Sequence, residues 1–569
     1  MLAPNAFQDK NKQTSLVQTP AIKNSWRFGE LSATELLPKL QQHLLAQDSN
    51  ANWQLVWLNN DGHPVIGLLP KVSWSVYATH NQISPTQLPT YKVIKHCRND
   101  ENAVTTAYMN YIKWQDELIA YSQDHETNNA ASKSLNISYE KPNYHHGLIG
   151  FIGYDIAAHE LSPAAKIELA AQPGAVLGHY DIYLTQSVTD KAGWTLKTIT
   201  SDVDNPSTNL AVAKLISYLN TLDLELSSTK RAAHNIECLL TPLVLSAQWH
   251  KSDYHNAFRK TQDYLQQGDC YQINLTQAWQ GRLHKLDSSY DNNSSMTSLI
   301  DYLPTLYQNT QAPFAGYLGA YHHLENGKPD RLVANNHTKD VKKFNSSPLS
   351  FELLSCSPEL FFTFIKDTDN GSHHIITKPI KGTRPRGSSD KQDLALKQQL
   401  MGSDKDRAEN VMIVDLLRND LGKYAKTGSV KVPHLFAIES FSNVHHMVST
   451  ITAELKPEAH PLAVLFGSLP AGSITGTPKK RAVEIISELE TAPRGAYCGT
   501  MGYMNFDGSG QWNVLIRTLQ ANSLANAETE VSLWAGGGIT VASNSKEEYQ
   551  ECLDKVGNLL NVLNQPDIM

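Results

Sequence analysis

The chain has 569 residues, 41% hydrophobic and 18% charged, with a formal net charge of −7 and a pI near 6.3. This is the balance of a globular protein with a sizeable core, long enough for several average domains. It excludes a global basic footprint for nucleic acid, and no run reaches the roughly 20 apolar residues of a membrane span.

The first 30 residues are polar and irregular. Apolar spacing predicts a helix over Leu36–Leu45, and Trp53–Leu58 reads as a strand closed by the turn signal Asn59-Asn60-Asp61-Gly62. Ala107–Tyr121 has helical character, Gln123–Ser134 reads as a loop, and Gly147–Asp155 as a glycine-rich strand packed closely on a neighbour. Its glycines recur every three residues and match no dinucleotide fingerprint. Strands follow at Tyr180–Val188 and Trp194–Ile199, then a helix near Asn209–Leu222. The polar segment Glu225–Asn235 separates an N-terminal region, 1–235, from a second region, 236–569. There a helix over 252–267, with Ser252 as candidate N-cap and Gly268 as its stop, leads into the alternating strand Cys270–Gln277. Ser288–Ser295 and His322–Ser347 read as polar surface insertions. The six cysteines form no CxxC and no zinc pattern, and Met1–Gln13 has no signal-peptide core. Reduced thiols and a cytoplasmic location are the expectation.

Seven stretches carry possible chemistry. Lys381 lies in Pro379-Ile380-Lys381-Gly382-Thr383, where Pro379 stiffens the backbone and Gly382 leaves it bare, which suits a positioned nucleophile as well as a solvated strand end. Ser355–Glu359 precedes the strand Leu360–Phe364, and Asn370-Gly371 turns the chain back through His374–Lys378. That hairpin puts Glu359 and Lys381 at one end of adjoining strands, as an acid/base pair or a plain salt bridge. Ser403–Tyr424 is a helix with a Ser403-x-x-Asp406 cap, and Met412 and Ile413 turn Glu409 toward the apolar side. The last helix opens with Ser545-x-x-Glu548, and Glu548, Glu551 and Lys555 share a face that could ligate a hard cation or be solvated. Gly472–Lys479 fails the spacing of a phosphate loop but offers amides before a helix over Ala482–Leu489. Gly536-Gly537-Gly538 expose amide donors or form a flexible turn, and Arg517, a charge within an apolar strand, needs a partner.

In order along residues 250–560, Gly268–Gln277, Ser355–Glu359, Pro379–Thr383, Ala408–Asp420, Val444–Ser449, Gly472–Lys479, Arg494–Tyr503, Ile516–Leu519, Gly536–Ile539 and Glu548–Val556 resemble the chorismate-utilising enzymes. Within that family the resemblance is to the aminodeoxychorismate branch. Anthranilate synthases resemble the chain but carry alanine where Lys381 stands, and members that add water carry lysine where Gln272 stands. The resemblance implies an α+β fold of two stacked antiparallel β-sheets with helices outside. It implies Lys381 as covalent nucleophile, Glu359 as general acid, and His446, Ser473, Gly382 and Thr383 on the reacting face. It also implies Gln272, Tyr497, Arg517 and Gly536–Gly538 at the substrate, and Mg²⁺ on Glu409, Glu548 and Glu551. Ammonia would come from a partner glutamine amidotransferase, since no glutaminase nucleophile is visible. Relatives bind tryptophan in the N-terminal half; Pro313-Phe314 matches part of that site, while Asn59-Asn60 departs from its serine-containing pattern. The same fold would also serve an anthranilate or isochorismate synthase, or a non-catalytic tryptophan-binding subunit.

Overall fold

The computed structural model describes residues 25–47, 53–79, 89–98, 103–126, 142–186, 193–199, 206–229, 240–283, 298–322, 349–441, 444–523 and 528–565. Eleven strands frame the site: β1 (Trp53–Leu58), β2 (Gly147–Ile152), β3 (Gln272–Leu283), β4 (Leu349–Ser355), β5 (Leu360–Lys366), β6 (His373–Thr377), β7 (Ile380–Pro385), β8 (Val444–Glu454), β9 (Gly510–Asn513), β10 (Thr518–Ser523) and β11 (Thr529–Ile539). Five helices matter to it: α1 (Lys251–Gln266), α2 (Asp390–Met401), α3 (Asp404–Gly422), α4 (Lys479–Leu489) and α5 (Ser545–Asn564).

Among the described residues all strand pairs are antiparallel and fall into two 12-stranded sheets. One sheet contains β1, β4, β10, β11 and β3; the other contains β7, β8, β6, β5, β9 and β2. Both sheets take strands from before and after residue 235.

The strands read as continuous apolar runs because both faces of each sheet are covered. Along β1, Val56 and Leu58 enter a core with Ile149 and Phe151 of β2, so this layer lies between the sheets. The alternate residues Leu55 and Trp57 pack outward under helices with Leu559 and Leu563 of α5. Along β2, Leu148 and Ile152 likewise pack outward, with Ile413 and Leu417 of α3. The result is the expected sandwich with helices on its outer faces. The expected tight packing of β2 is real: a Cβ on Gly150 would lie 1.9 Å from the Val176 carbonyl oxygen.

Several boundaries differ from expectation. Ala103–Met109 is an edge strand, and the helix starts only at Tyr111. The β-branched Val104-Thr105-Thr106 favours extension, and Asn110 caps the helix by accepting the Lys113 N–H. Helix α1 begins at Lys251, after His250 rather than Ser252, with the Asp253 carboxylate accepting the His250 N–H. Most of the loop at 123–134 and the insertions at 288–295 and 322–347 lie outside the described residues, as does Cys238; the five described cysteines are free thiols. No described helix is long and apolar enough to cross a membrane.

Candidate active site

The chain passes between the sheets twice at one place. β4 hands over to β5 through Cys356–Glu359, and β9 to β10 through Val514–Arg517. The two crossovers bind each other: Val514 N–H donates to the Glu359 carbonyl (3.0 Å), and Cys356 N–H to the Arg517 carbonyl (3.0 Å). Arg517 is therefore not inside an apolar strand, as its neighbours suggested. It sits on a crossover at φ +51°, a left-handed conformation that a long side chain adopts only under surrounding constraint. Among the described residues no carboxylate pairs with its half-buried guanidinium, and burial lowers its pKa.

Lys381 is presented by a bulge. β6 and β7 run along the same edge of β8 in one register, Thr377 opposite Ile451 and Ile380 opposite Val448. Then the register slips: Thr383 faces His446, so Lys381 and Gly382 together stand opposite Met447. A bulge re-aims a side chain, and Gly382 makes this one possible. Its φ is +80°, and a Cβ there would lie 2.8 Å from both Leu400 and Asp406. The β5–β6 hairpin forms as expected and brings Glu359 beside Ile380 and Lys381. On the facing strand, His446 Nδ1 and Thr383 Oγ1 are hydrogen-bonded at 2.8 Å.

Two helices bring the three glutamates. Ser403 caps α3 by accepting the Asp406 N–H, as its sequence pattern predicted, and Glu409 follows one turn on. In α5 the cap is Asn544, which accepts from Lys546 and Glu547, rather than Ser545. Glu548 is thereby released from capping. Its carboxylate, 3% exposed, turns inward and accepts from Ser543 Oγ at 2.8 Å. Each glutamate meets a lysine: Lys381–Glu409 at 3.1 Å, Lys405–Glu548 at 3.4 Å and Lys555–Glu551 at 2.8 Å.

The glycine run is part of a strand rather than a turn: β11 continues through Gly536–Gly538 to Ile539 against β3. Opposite Gly536 and Gly538, Thr276 and Asn274 send their N–H groups away to Glu490 and Thr475. In an antiparallel ladder the amides of Gly536 and Gly538 must then also point away from β3, on the side where β10 has already ended. Side chains explain the missing Cβ atoms. One on Gly537 would lie 3.0 Å from Glu548 Oε2, and one on Gly538 would lie 2.5 Å from Gln272 Nε2 and 3.3 Å from Lys381 Nζ.

These elements enclose a cavity of about 470 Å³. Lys381, Glu359, His446, Ser473, Gly382, Thr383, Tyr497, Arg517, Gly536–Gly538, Glu409, Glu548 and Glu551 all line it. Gln272 stands behind Gly538, buried, with its Oε1 unpaired. Pro313 and Phe314 do not line it. Their carbonyls accept from Asn59, Asp61 and Asn513, which knits their turn to β1 and to the end of β9. Lys479, at the end of the loop whose spacing fails that of a phosphate loop, is engaged by Asp420 (2.7 Å) and the Ser468 carbonyl (2.9 Å).

Burial sets the protonation states. It raises Glu359 to about 7 against the opposing pull of Lys381, so a neutral carboxylic acid persists near neutrality. It lowers His446 to about 4, with Arg517 adding to the effect, so the imidazole is uncharged. Burial raises Glu548; at Glu551 burial pushes upward too, but Lys555 and the other lysines outweigh it and the pKa falls.

The three glutamates are hard oxygen donors of the kind Mg²⁺ takes, and Glu409 Oε1 is buried without a protein partner. As placed, no three His, Cys, Asp or Glu side chains among the described residues converge closely enough to hold an ion. The donor set fits a hard cation in chemistry, with lysine ammoniums standing where its charge would go.

Sequence reasoning missed several lining residues, among them Asn274, Lys405, Ile516 and Trp534. Lys405 was within reach, one helical turn before Glu409 on the same face. Trp534, stacked on Tyr497 with ring centres 6.2 Å apart, carries no local signal beyond preceding the glycine run.

A chorismate binding enzyme model matches residues 93–561, and the chain belongs to that family. Aminodeoxychorismate synthase component 1 of Salmonella typhimurium strain LT2 is 36% identical over 423 residues, which is 73% of this chain and 76% of that protein. The Escherichia coli K12 protein of the same name is 41% identical over 323 residues, 56% of this chain and 60% of that protein. Among solved structures, anthranilate synthase component I from Streptococcus pneumoniae TIGR4 superposes with a TM-score of 0.59 at 22% identity, covering 93% of this chain and 98% of that one.

Proposed function

We propose that the chain is the chorismate-aminating component of an aminodeoxychorismate synthase, converting chorismate and ammonia to 4-amino-4-deoxychorismate and water for 4-aminobenzoate and folate synthesis. The observation that carries this reading is the bulge that aims Lys381 into the same cavity as the neutral acid Glu359 and the unpaired Arg517.

Chorismate is a dianion. The Arg517 guanidinium and the outward amides of Gly536 and Gly538 would hold its enolpyruvyl carboxylate. Glu409, Glu548 and Glu551 would hold Mg²⁺, which supplies charge to the ring carboxylate. Held at both ends, the ring offers C2 to Lys381 and its C4 hydroxyl to Glu359. In its neutral form Lys381 attacks C2, the double bond shifts, and the C4 hydroxyl leaves as water with the Glu359 proton. Ammonia then adds at C4, the double bond returns, and Lys381 is expelled from C2. Gln272, uncharged behind Gly538, offers no base to activate water in place of ammonia. The enolpyruvyl group survives, so a further enzyme must release pyruvate. The names of the relatives as component 1 support a second subunit, which we read as a glutamine amidotransferase supplying ammonia.

Incubation with chorismate, Mg²⁺ and ammonium, followed by mass analysis of the products, tests the reading. Aminodeoxychorismate is expected; anthranilate, isochorismate or unchanged chorismate would overturn it.

A further inference from the structure

Without ligands the cavity is charge-balanced. Five cationic side chains line it against five carboxylates other than Glu359, and each of the three glutamates has its own ammonium. A dication therefore meets a neutral wall, and to reach a glutamate it must displace a lysine. The three lysines differ in how firmly they are held. Lys555 is also bonded to the Gly536 carbonyl at 2.8 Å, and Lys381 is fixed by the bulge and only 20% exposed. Lys405 is 50% exposed, sits on the first turn of α3, and among the described residues makes one ion pair, at the longest distance of the three. Its charge nevertheless reaches Glu548, Glu409 and Glu551 together. When it leaves, Glu548 remains oriented by Ser543.

We propose that Lys405 is an internal counter-ion that a divalent cation displaces from Glu548, so that cation binding depends on the arrival of a dianionic substrate. The proposal rests on the reading that the three glutamates hold Mg²⁺. A cation entering alone pushes one ammonium into solvent and still leaves the cavity with one excess positive charge. A dianion entering with it removes that excess. Each ligand then tightens the other by the same factor.

Lys405→Gln keeps a polar stem and removes the charge. Calorimetric titration of MgCl₂ into the full chain without chorismate should show about tenfold tighter binding for this variant, the effect of one unit charge some 6 Å away in a partly wet site. The gain in Mg²⁺ affinity on adding chorismate should shrink correspondingly, and Lys405→Arg should keep the weak wild-type affinity. Equal or weaker Mg²⁺ binding by Lys405→Gln overturns the proposal. Glu409→Gln separates this outcome from failure of the underlying reading. If it leaves Mg²⁺ binding unchanged, the glutamate site itself is wrong and the proposal falls with it; if it abolishes binding while Lys405→Gln changes nothing, the counter-ion role alone falls.

Discussion

Replacing Arg517 by methionine should weaken substrate use and strengthen the fold at once. The guanidinium is half-buried, has no carboxylate partner among the described residues, and its pKa is lowered by burial. A buried cation without a counter-charge is a net liability to the ligand-free protein. Methionine keeps the length, fills the same space, and is no more strained than arginine at φ +51°. Relief of the unpaired charge should therefore stabilise the ligand-free variant by about 1–2 kcal/mol, seen as a higher urea midpoint at unchanged slope. In the proposed function, chorismate would in contrast lose a bidentate charge-assisted grip worth about 1.5–3 kcal/mol per hydrogen bond. Together that is about 3–6 kcal/mol, or roughly 10²- to 10⁴-fold in kcat/KM. Arg517→Lys keeps the charge without the planar fork and should fall between. Chorismate should raise the urea midpoint of the wild type and not that of the methionine variant. The reasoning is refuted if the methionine variant is less stable than wild type without ligand, since the guanidinium would then have a protein partner, or if kcat/KM falls less than tenfold.

Three further outcomes follow from the same geometry. Glu359 titrates near 7 in the fold and near 4.3 unfolded, so the folded state holds the extra proton between these values and loses stability as pH rises through that window. Glu359→Gln should match wild type at pH 4 and exceed it by about 3 kcal/mol at pH 8; Asp155, also raised to about 7 by burial, keeps its own slope in both proteins, and parallel urea-midpoint curves would contradict the assignment. Gly538→Ala places a methyl 2.5 Å from the amide of Gln272, itself 2% exposed. It should cost about 1–3 kcal/mol of stability from overpacking and lower kcat/KM on the order of 10²-fold through misplacement of Lys381; near-normal kinetics would show that Gln272 moves freely. Lys381→Ala leaves Glu409 without its ammonium, so stability should drop by about 2 kcal/mol and recover partly with Mg²⁺; mass spectrometry under turnover should find a lysine adduct in wild type and none in the variant. An adduct persisting in the variant would place the nucleophile elsewhere.

What the sequence could and could not disclose divides along a physical line. Residue type and local spacing singled out Lys381, Glu359, Arg517 and the three glutamates but left most of them open to a plain structural reading; Arg517 alone, a charge among apolar neighbours, demanded a partner, and the roles of the others came from the family resemblance. Spacing also found the β5–β6 hairpin and the Ser403 cap. It could not show how the groups meet, because that depends on non-local register. The slip that aims Lys381 exists only against β8, some 65 residues further on, and Gly382 alone hinted at it. Arg517 read as a strand residue because its neighbours Val514, Leu515, Ile516 and Leu519 are apolar; the chain there is changing sheets, held by bonds to Cys356 and Glu359 about 160 residues earlier. Ser545 looked like a cap, but Asn544 supplied the acceptor first, and that shift of one residue is what frees Glu548 for the cavity. The lysine partners were hardest to foresee. A lysine near a glutamate in sequence usually marks a solvated face, and Lys555 was open to that reading. Only the fold shows three such pairs converging on one wall, where their charges cancel before any ligand arrives, and it is this cancellation that makes the binding of a cation and of a dianion depend on each other.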